Sequence, residues 1–156
     1  KDDTPSLPVI KHAVQMLEAL EGYKPDIIVI LQTTSPFRTS KHIDDALKIF
    51  LKSDSDSLVS VTEVPHNMNP YSIMQLKKDG TIKPFLKYDE NNNLRQKKPI
   101  FYARNGAAIY ITKIDKLDEY IFGGKVIPYF MKKIDSFDID DMEDWEIVER
   151  LMQCVE

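Results

Sequence analysis

The chain has 156 residues, of which 42% are hydrophobic and 29% charged, with a formal net charge of -4; that is enough apolar material for one sizeable core, and a single globular domain over 1–156 is expected. No more than two basic residues adjoin anywhere, so a nucleic-acid partner is excluded on charge, and the lack of any run of about 18 apolar residues excludes a spanning helix. Cys154 is the only cysteine, which rules out an internal disulfide or a cysteine-rich zinc site and fits a soluble protein of the reducing cytoplasm.

From Val9 to Leu20 the residues Val9, Ile10, Ala13, Val14, Leu17 and Leu20 recur at intervals of three and four, which predicts a helix with Thr4 or Ser6 as cap and Pro8 in its first turn. Asp26–Leu31 is a β-branched run without alternation, the pattern of a strand buried on both faces. A second helix is expected from Ser40, as cap, to about Lys52, burying Ile43, Ala46, Leu47 and Phe50, followed by a strand over Leu58–Val64. Tyr71–Leu76 and Thr81–Leu86 flank Lys77-Lys78-Asp79-Gly80, whose Asp-Gly pair predicts a hairpin. The Asn-rich stretch Asp89–Lys98 reads as a polar arm, so that 71–98 forms a hairpin-and-arm insertion.

Further strands are expected at Ala107–Thr112, Val126–Met131 and Ile134–Ile139, with a short helix over Lys113–Tyr120. Met142–Val155 closes the chain as an amphipathic helix with Trp145, Val148, Leu151 and Met152 inward. Alternating strands and helices predict an α/β fold with an open, mostly parallel, Rossmann-like sheet. Ligands of such sheets sit beyond the carboxyl ends of the strands.

Two segments at that edge carry chemistry. Gln32-Thr33-Thr34-Ser35-Pro36-Phe37-Arg38 follows the first strand with an amide, three hydroxyls and a guanidinium. An Arg fork suits a carboxylate or phosphate, and the amide and hydroxyls suit sugar or base edges; a capped turn with Arg38 paired on the surface is the competing reading. Asp135, Asp138, Asp140, Asp141, Glu143 and Asp144 crowd the end of the last expected strand. A strand period of two would put Asp138 and Asp140 on one face, where they could share magnesium with substrate phosphate oxygens; capping of the final helix is the alternative for this pair and the preferred role for Asp141 and Asp144. Asn105-Gly106 reads as a tight turn, and Arg95, Gln96 and Arg104 lie near it in sequence. His12, His42 and His66 lack metal-site spacing, and Gly123-Gly124-Lys125 lacks the remainder of a phosphate loop.

Together, Gln32–Arg38, Ser60-Val61-Thr62-Glu63-Val64-Pro65-His66, Arg95-Gln96, Asn105-Gly106-Ala107-Ala108-Ile109-Tyr110-Ile111 and Phe137-Asp138-Ile139-Asp140 resemble, in order, the acylneuraminate cytidylyltransferase family. The resemblance runs over essentially the whole chain. It implies the nucleotide-diphospho-sugar transferase type of α/β fold and transfer of CMP from CTP to the anomeric hydroxyl of an acidic nonulosonic sugar, with release of pyrophosphate. By the same resemblance Asp138 and Asp140 bind magnesium and are the catalytic pair. Gln32, Arg95, Asn105 and Tyr110 line the sugar pocket, Thr34, Ser35, Gln96 and Gly106 belong to the substrate-binding segments, and Arg38 supports its loop.

The sequence departs from the family in two places. The Gly-rich basic loop that cradles CTP phosphates in the family is not among these residues, so they correspond to the C-terminal larger part of such an enzyme. Where an aromatic pair often meets the sugar's acyl substituent, the sequence has Ile121-Phe122; the resemblance implies that Phe122 keeps this substrate contact, and the altered neighbour leaves sialic, legionaminic and pseudaminic acids open. The resemblance also implies a homodimer in which the 71–98 arm, with Arg95, reaches the partner's site. A non-catalytic module of the same fold, binding an acidic sugar or a protein partner, and an enzyme for a shorter acidic sugar such as Kdo are the competing functions.

Overall fold

The computed structural model describes residues 4–87, 98–117 and 120–154. The element order is α1 (Ser6–Glu21), β1 (Ile27–Ile30), α2 (Ser40–Lys52), β2 (Ser57–Glu63), β3 (Met74–Leu76), β4 (Ile82–Pro84), β5 (Tyr102–Arg104), β6 (Tyr110–Lys113), β7 (Val126–Phe130) and α3 (Met142–Gln153). The chain divides into two compact units, one of residues 1–61 and 104–156, the other of 62–103. β2 and β5 carry the chain between them.

In the first unit β1 pairs with β6 antiparallel, Ile27 to Lys113 through Ile30 to Tyr110. β6 pairs antiparallel with β2 on its other side, and β2 pairs parallel with β7, Ser57 to Val126 through Val61 to Phe130. The expected α/β architecture is present with a mixed sheet. β1, β2 and β7 run one way and β6 runs against them. Periodicity could not report that reversal, because a strand covered on both faces shows a continuous apolar run whichever way it points.

β2 supplies the centre. Leu58, Ile109 and Ile111 are fully buried and pack with Ala46 and Phe50 of α2 and with Tyr129 and Met131; burying side chains of this size contributes roughly 1.5–3 kcal/mol each. A second cluster of Val59, Val61, Ala107, Tyr110 and Ile121 takes Leu7 and Ile10 of α1 and Ile30 and Phe122 at its border. The buried hydroxyls on these strands are satisfied locally. Ser57 Oγ donates to Gly123 O (2.7 Å), and Thr112 Oγ1 donates to Ile121 O (2.9 Å).

The helices depart from expectation mainly at their ends and on their exposed faces. α1 starts at Ser6 after Pro5, without a side-chain cap, and Val9, Leu17 and Leu20 of its apolar stripe are exposed. β1 is half-buried along its length and has β6 as its one partner among the described residues. α2 is capped by Thr39, not Ser40. Thr39 Oγ1 accepts from His42 N–H, and His42 Nδ1 accepts from Thr39 N–H, a capping box closed by histidine. In α3 Val148 is buried, whereas Trp145 and Met152 are exposed and line an apolar groove with Thr33, Pro36 and Ile139.

Two expected elements are absent as such. Lys113–Tyr120 contains only a 3₁₀ turn at Ile114–Lys116 among its described residues. The segment expected as a strand at Ile134–Ile139 is a 3₁₀ turn (Ile134–Ser136) followed by irregular backbone. Its backbone bonds go to a local turn and a loop instead of a ladder, Ser136 N–H to Lys133 O and Ile139 N–H to Thr34 O.

In the unit 62–103, β3 and β4 form the expected hairpin, Met74 opposite Pro84. Lys77 N–H donates to Thr81 O, Asp79 Oδ1 accepts from Thr81 N–H, and Gly80 supplies φ +82°. Asn69 is buried, with Nδ2 on Pro99 O and Oδ1 accepting from Tyr71 N–H. Most of the arm, with Arg95 and Gln96, falls outside the described residues.

Candidate active site

Because β6 runs against its neighbours, its amino end meets the carboxyl end of β1. Gln32 N–H donates to Ala107 O (3.3 Å) just past the last β-ladder pair, Ile30 to Tyr110. Between β5 and β6 the chain turns at Asn105-Gly106-Ala107-Ala108. Ala108 N–H returns to Asn105 O (3.2 Å), and both central residues have positive φ, Gly106 at 63° and Ala107 at 55°. That is the backbone of a type I′ turn, with Gly106 and Ala107 at the two central positions and Asn105 just before them. Ala107 holds the left-handed conformation without being glycine, at a cost of about 1–2 kcal/mol.

The turn explains why β6 begins at Tyr110 and not at Ala107. It also brings Gly106 against the acidic segment. A Cβ on Gly106 would coincide with the Asp138 carboxylate. Asp138 is half-buried, and its Oδ1 is buried with no hydrogen-bond partner among the described residues, a state that few buried polar atoms hold.

Irregular backbone, not strand alternation, positions Asp138 and Asp140. Ile139 N–H donates to Thr34 O (3.0 Å), and the Phe37 and Phe137 rings meet edge to face at 6.2 Å, which joins the acidic segment to the Gln32–Arg38 loop. Asp140 N–H donates to Asp144 Oδ2 (3.1 Å). Asp141 caps α3, its Oδ1 accepting from Glu143 and Asp144 N–H at 2.9 and 3.0 Å. Capping thus falls to Asp141, and Asp138 takes no part in it. Among the described residues no group of three or more His, Cys, Asp or Glu is arranged to hold a metal. A magnesium site needs only one or two carboxylates when substrate phosphates complete it, and the orphaned Asp138 oxygen beside exposed Asp140 fits that requirement.

Arg38 works on its own loop, with Nη1 donating to Gln32 O (2.7 Å) and Ala108 O (3.0 Å). Ser35 is buried, and its Oγ has no partner among the described residues. Asn105 faces inward. Its Oδ1 accepts from Ser60 Oγ (2.6 Å), while Nδ2 donates to Ser136 Oγ (3.0 Å) and meets Met131 Sδ (3.3 Å). Ser60 Oγ also accepts from Ile109 N–H (2.9 Å). The Asn105 amide thereby ties β2 to the 134–136 turn, and Ser60 carries the link on to Ile109, just before β6.

A cavity of about 430 Å³ opens at this edge, lined by Gln32, Arg104, Gly106, Tyr110, Tyr120 and Ile121 among others. Its size suits a small-molecule ligand. Phe122 stands edge to face against Tyr110 (5.4 Å) and Tyr120 (4.8 Å). Burial pushes the Tyr110 phenol up, against the opposing pull of Arg104, so it remains a protonated donor at neutral pH. In the sequence Arg104 is only a neighbour of Asn105-Gly106, and nothing there assigns an individual role to Tyr120, Ser60 or Ser136. A hydroxyl inside the buried run of β2 was the available signal for Ser60.

Gln32, Gly106 and Tyr110 therefore line one cavity with Phe122 at the border of the same cluster, and Gly106 joins that cavity to Asp138. This defines the class: an α/β domain with a candidate small-molecule site at the edge of its sheet, where the β1 loop, the β5–β6 turn and the acidic segment meet. A family model described as cytidylyltransferase matches residues 9–155, and the chain belongs to that family.

Among curated relatives it is 31% identical over 97% of its length to the post-translational flagellin modification protein B of Campylobacter coli, spanning 63% of that protein. It is 30% identical to an N-acylneuraminate cytidylyltransferase of Escherichia coli, over 97% of this chain and 35% of the relative. With a CMP-N,N'-diacetyllegionaminic acid synthase of Campylobacter jejuni the identity is 32%, over 97% of this chain and 63% of the relative. The chain thus spans under two thirds of the length of each. Among the described residues no helix is long and apolar enough to cross a membrane.

Proposed function

We propose that the protein transfers CMP from CTP to the anomeric hydroxyl of an acidic nonulosonic sugar of the sialic, legionaminic or pseudaminic type. The observation that carries this reading is the buried, unpartnered Asp138 oxygen packed on Gly106, which itself lines the cavity. Family membership and relatives named for CMP-sugar synthesis support it. In the transfer the anomeric oxygen attacks the α-phosphorus of CTP, the bond to the β-phosphate breaks, and pyrophosphate leaves.

Asp138 and Asp140 would hold magnesium, which when bound offsets charge on the α-phosphate and the departing pyrophosphate. The chain's own residues supply placement. Gln32 and Tyr110 offer an amide and a phenol to sugar oxygens, and Arg38 with the Ile139 to Thr34 bond fixes the loop that carries Gln32. The Asn105 amide supports the site from beneath by holding the turn at Gly106. Arg95 and Gln96 remain in this reading as sugar-binding groups on a dimerising arm, and a homodimer working in the cytoplasm, where CTP is available, completes it.

The test is incubation of the full protein with CTP, magnesium and a panel of sialic, legionaminic, pseudaminic and Kdo sugars, with CMP-sugar and pyrophosphate measured together. Stoichiometric formation of both with a nonulosonic acid is expected. No pyrophosphate with any of them would end the reading.

A further inference from the structure

One charged side chain lining the cavity has no part in the reading above. Arg104 ends β5 at an exposed position, where nothing in the core requires a guanidinium. Yet it is held on three sides. Nη1 donates to Tyr120 Oη at 3.0 Å, and the guanidinium carbon lies 5.8 Å from the Tyr120 ring centroid and 5.6 Å from that of Phe122. Phe122 is in turn wedged edge to face between Tyr110 and Tyr120. Rings at these distances attract the cation face-on. A long, otherwise freely rotating side chain is thus fixed in advance beside the cavity, and a guanidinium has five N–H donors to offer.

Chemistry decides which part of the sugar meets it. The attacking anomeric oxygen must lie beside the Asp138 carboxylate if the metal is held there, and in a 2-ulosonic acid the carboxylate sits on that same anomeric carbon. Both therefore stay at the Gly106–Asp138 end. Arg104 ends β5, before the turn that carries Gly106, and its side chain engages Tyr120 and Phe122, away from Asp138 in the contacts it makes.

Resting on the transferase reading, we propose that Arg104, clamped by Tyr120 and Phe122, is a specificity-determining residue that donates to oxygen atoms on the sugar's far substituents, the acylamino carbonyl above all. It selects among acidic sugars by what they carry away from the anomeric carbon. A planar fork held in advance loses little freedom on binding, and a lysine in its place would lack both fork and stacking.

The experiment is steady-state kinetics of the full protein with two sugars, an acylamino nonulosonic acid and an eight-carbon acidic sugar without acylamino groups, the latter followed as substrate or as competitive inhibitor. In Arg104→Ala the KM for the acylamino sugar should rise about 10- to 100-fold, the scale of one lost charge-assisted hydrogen bond. The constant for the eight-carbon sugar should change less than about threefold on the same reasoning, with KM for CTP unchanged. Tyr120→Phe keeps the ring and loses the hydroxyl, and Arg104→Lys keeps the charge and loses the fork; both should fall between. Equal losses for the two sugars, or no loss for the acylamino sugar, would overturn the proposal.

If the wild type turns over neither sugar, the transferase reading fails, and calorimetric binding of the same sugars still decides the role of Arg104. Tighter binding of the acylamino sugar that Arg104→Ala abolishes would sustain it. Equal affinities in the two proteins, or no binding by the wild type, would overturn it.

Discussion

At Gly106 the backbone takes φ +63°, and the space a Cβ would fill holds the Asp138 carboxylate, so two separate constraints converge on one glycine. The conformation alone would cost alanine about 1–2 kcal/mol, and the methyl would have to displace Asp138. Gly106→Ala is accordingly expected to lower the melting temperature modestly and to weaken magnesium binding, read by calorimetry, far more than that loss of stability explains. Unchanged magnesium affinity would separate Asp138 from the cation. Asn105 sits one residue earlier and does different work. Its amide spans Ser60, Ser136 and Met131 in a buried setting, so Asn105→Ala leaves two hydroxyls short of a partner. A loss of about 2–4 kcal/mol is expected in urea unfolding, and a loss under about 0.5 kcal/mol would mean that the network contributes nothing net.

The elements show where sequence reasoning reached the fold and where it stopped. α2 was legible because Ile43, Ala46, Leu47 and Phe50 keep one face, and the β3–β4 hairpin because Asp79-Gly80 supplies the turn chemistry. The direction of β6 was not, since Ile109 and Ile111 are buried whichever way the strand runs. Ile134–Ile139 misled because alternation predicts a strand only where a neighbour accepts its backbone, and here Ile139 N–H goes to Thr34 O in a loop. The site was legible as segments: Gln32–Arg38 and Asp138–Asp140 both mark it. Its contacts were not, because the Gly106–Asp138 packing and the Arg104 clamp join residues far apart in the chain or aligned only by a turn.

At the opposite end of the sheet, Asp56 joins β2 to the start of β7. It accepts from Lys125 N–H (2.9 Å) and pairs with Lys113 Nζ (3.3 Å). The Lys125 N–H first, then Lys113, hold its carboxyl below the usual value of 3.8. A depressed folded value means that its contribution is fully present above the unfolded pKa and is lost as pH falls through the folded one. The melting-temperature gap between wild type and Asp56→Asn should therefore be constant from neutral pH down to about 5 and close below about 4. A gap independent of pH would show that the charge is immaterial there.

At the scale of the whole molecule, every described residue of the candidate site belongs to the unit of residues 1–61 and 104–156. The family match runs across both units. Within that first unit the antiparallel β6 is the decisive feature, because it delivers Gly106 and Tyr110 to the edge where the β1 loop and the acidic segment end. The arrangement predicts a division of labour: Asp141 stabilises α3, Asn105 stabilises the turn, and Asp138 stabilises neither. The most direct measurement is turnover of Asp138→Asn in the full protein, with CTP, magnesium and the preferred sugar, set beside its melting temperature. Turnover should fall by about 100-fold or more, with a melting temperature close to that of the wild type, because Asp138 Oδ1 makes no hydrogen bond whose loss would weaken the fold. Wild-type turnover in that variant would contradict the assignment of Asp138 to the metal, and a collapse in stability with no separate loss of turnover would make it a structural residue.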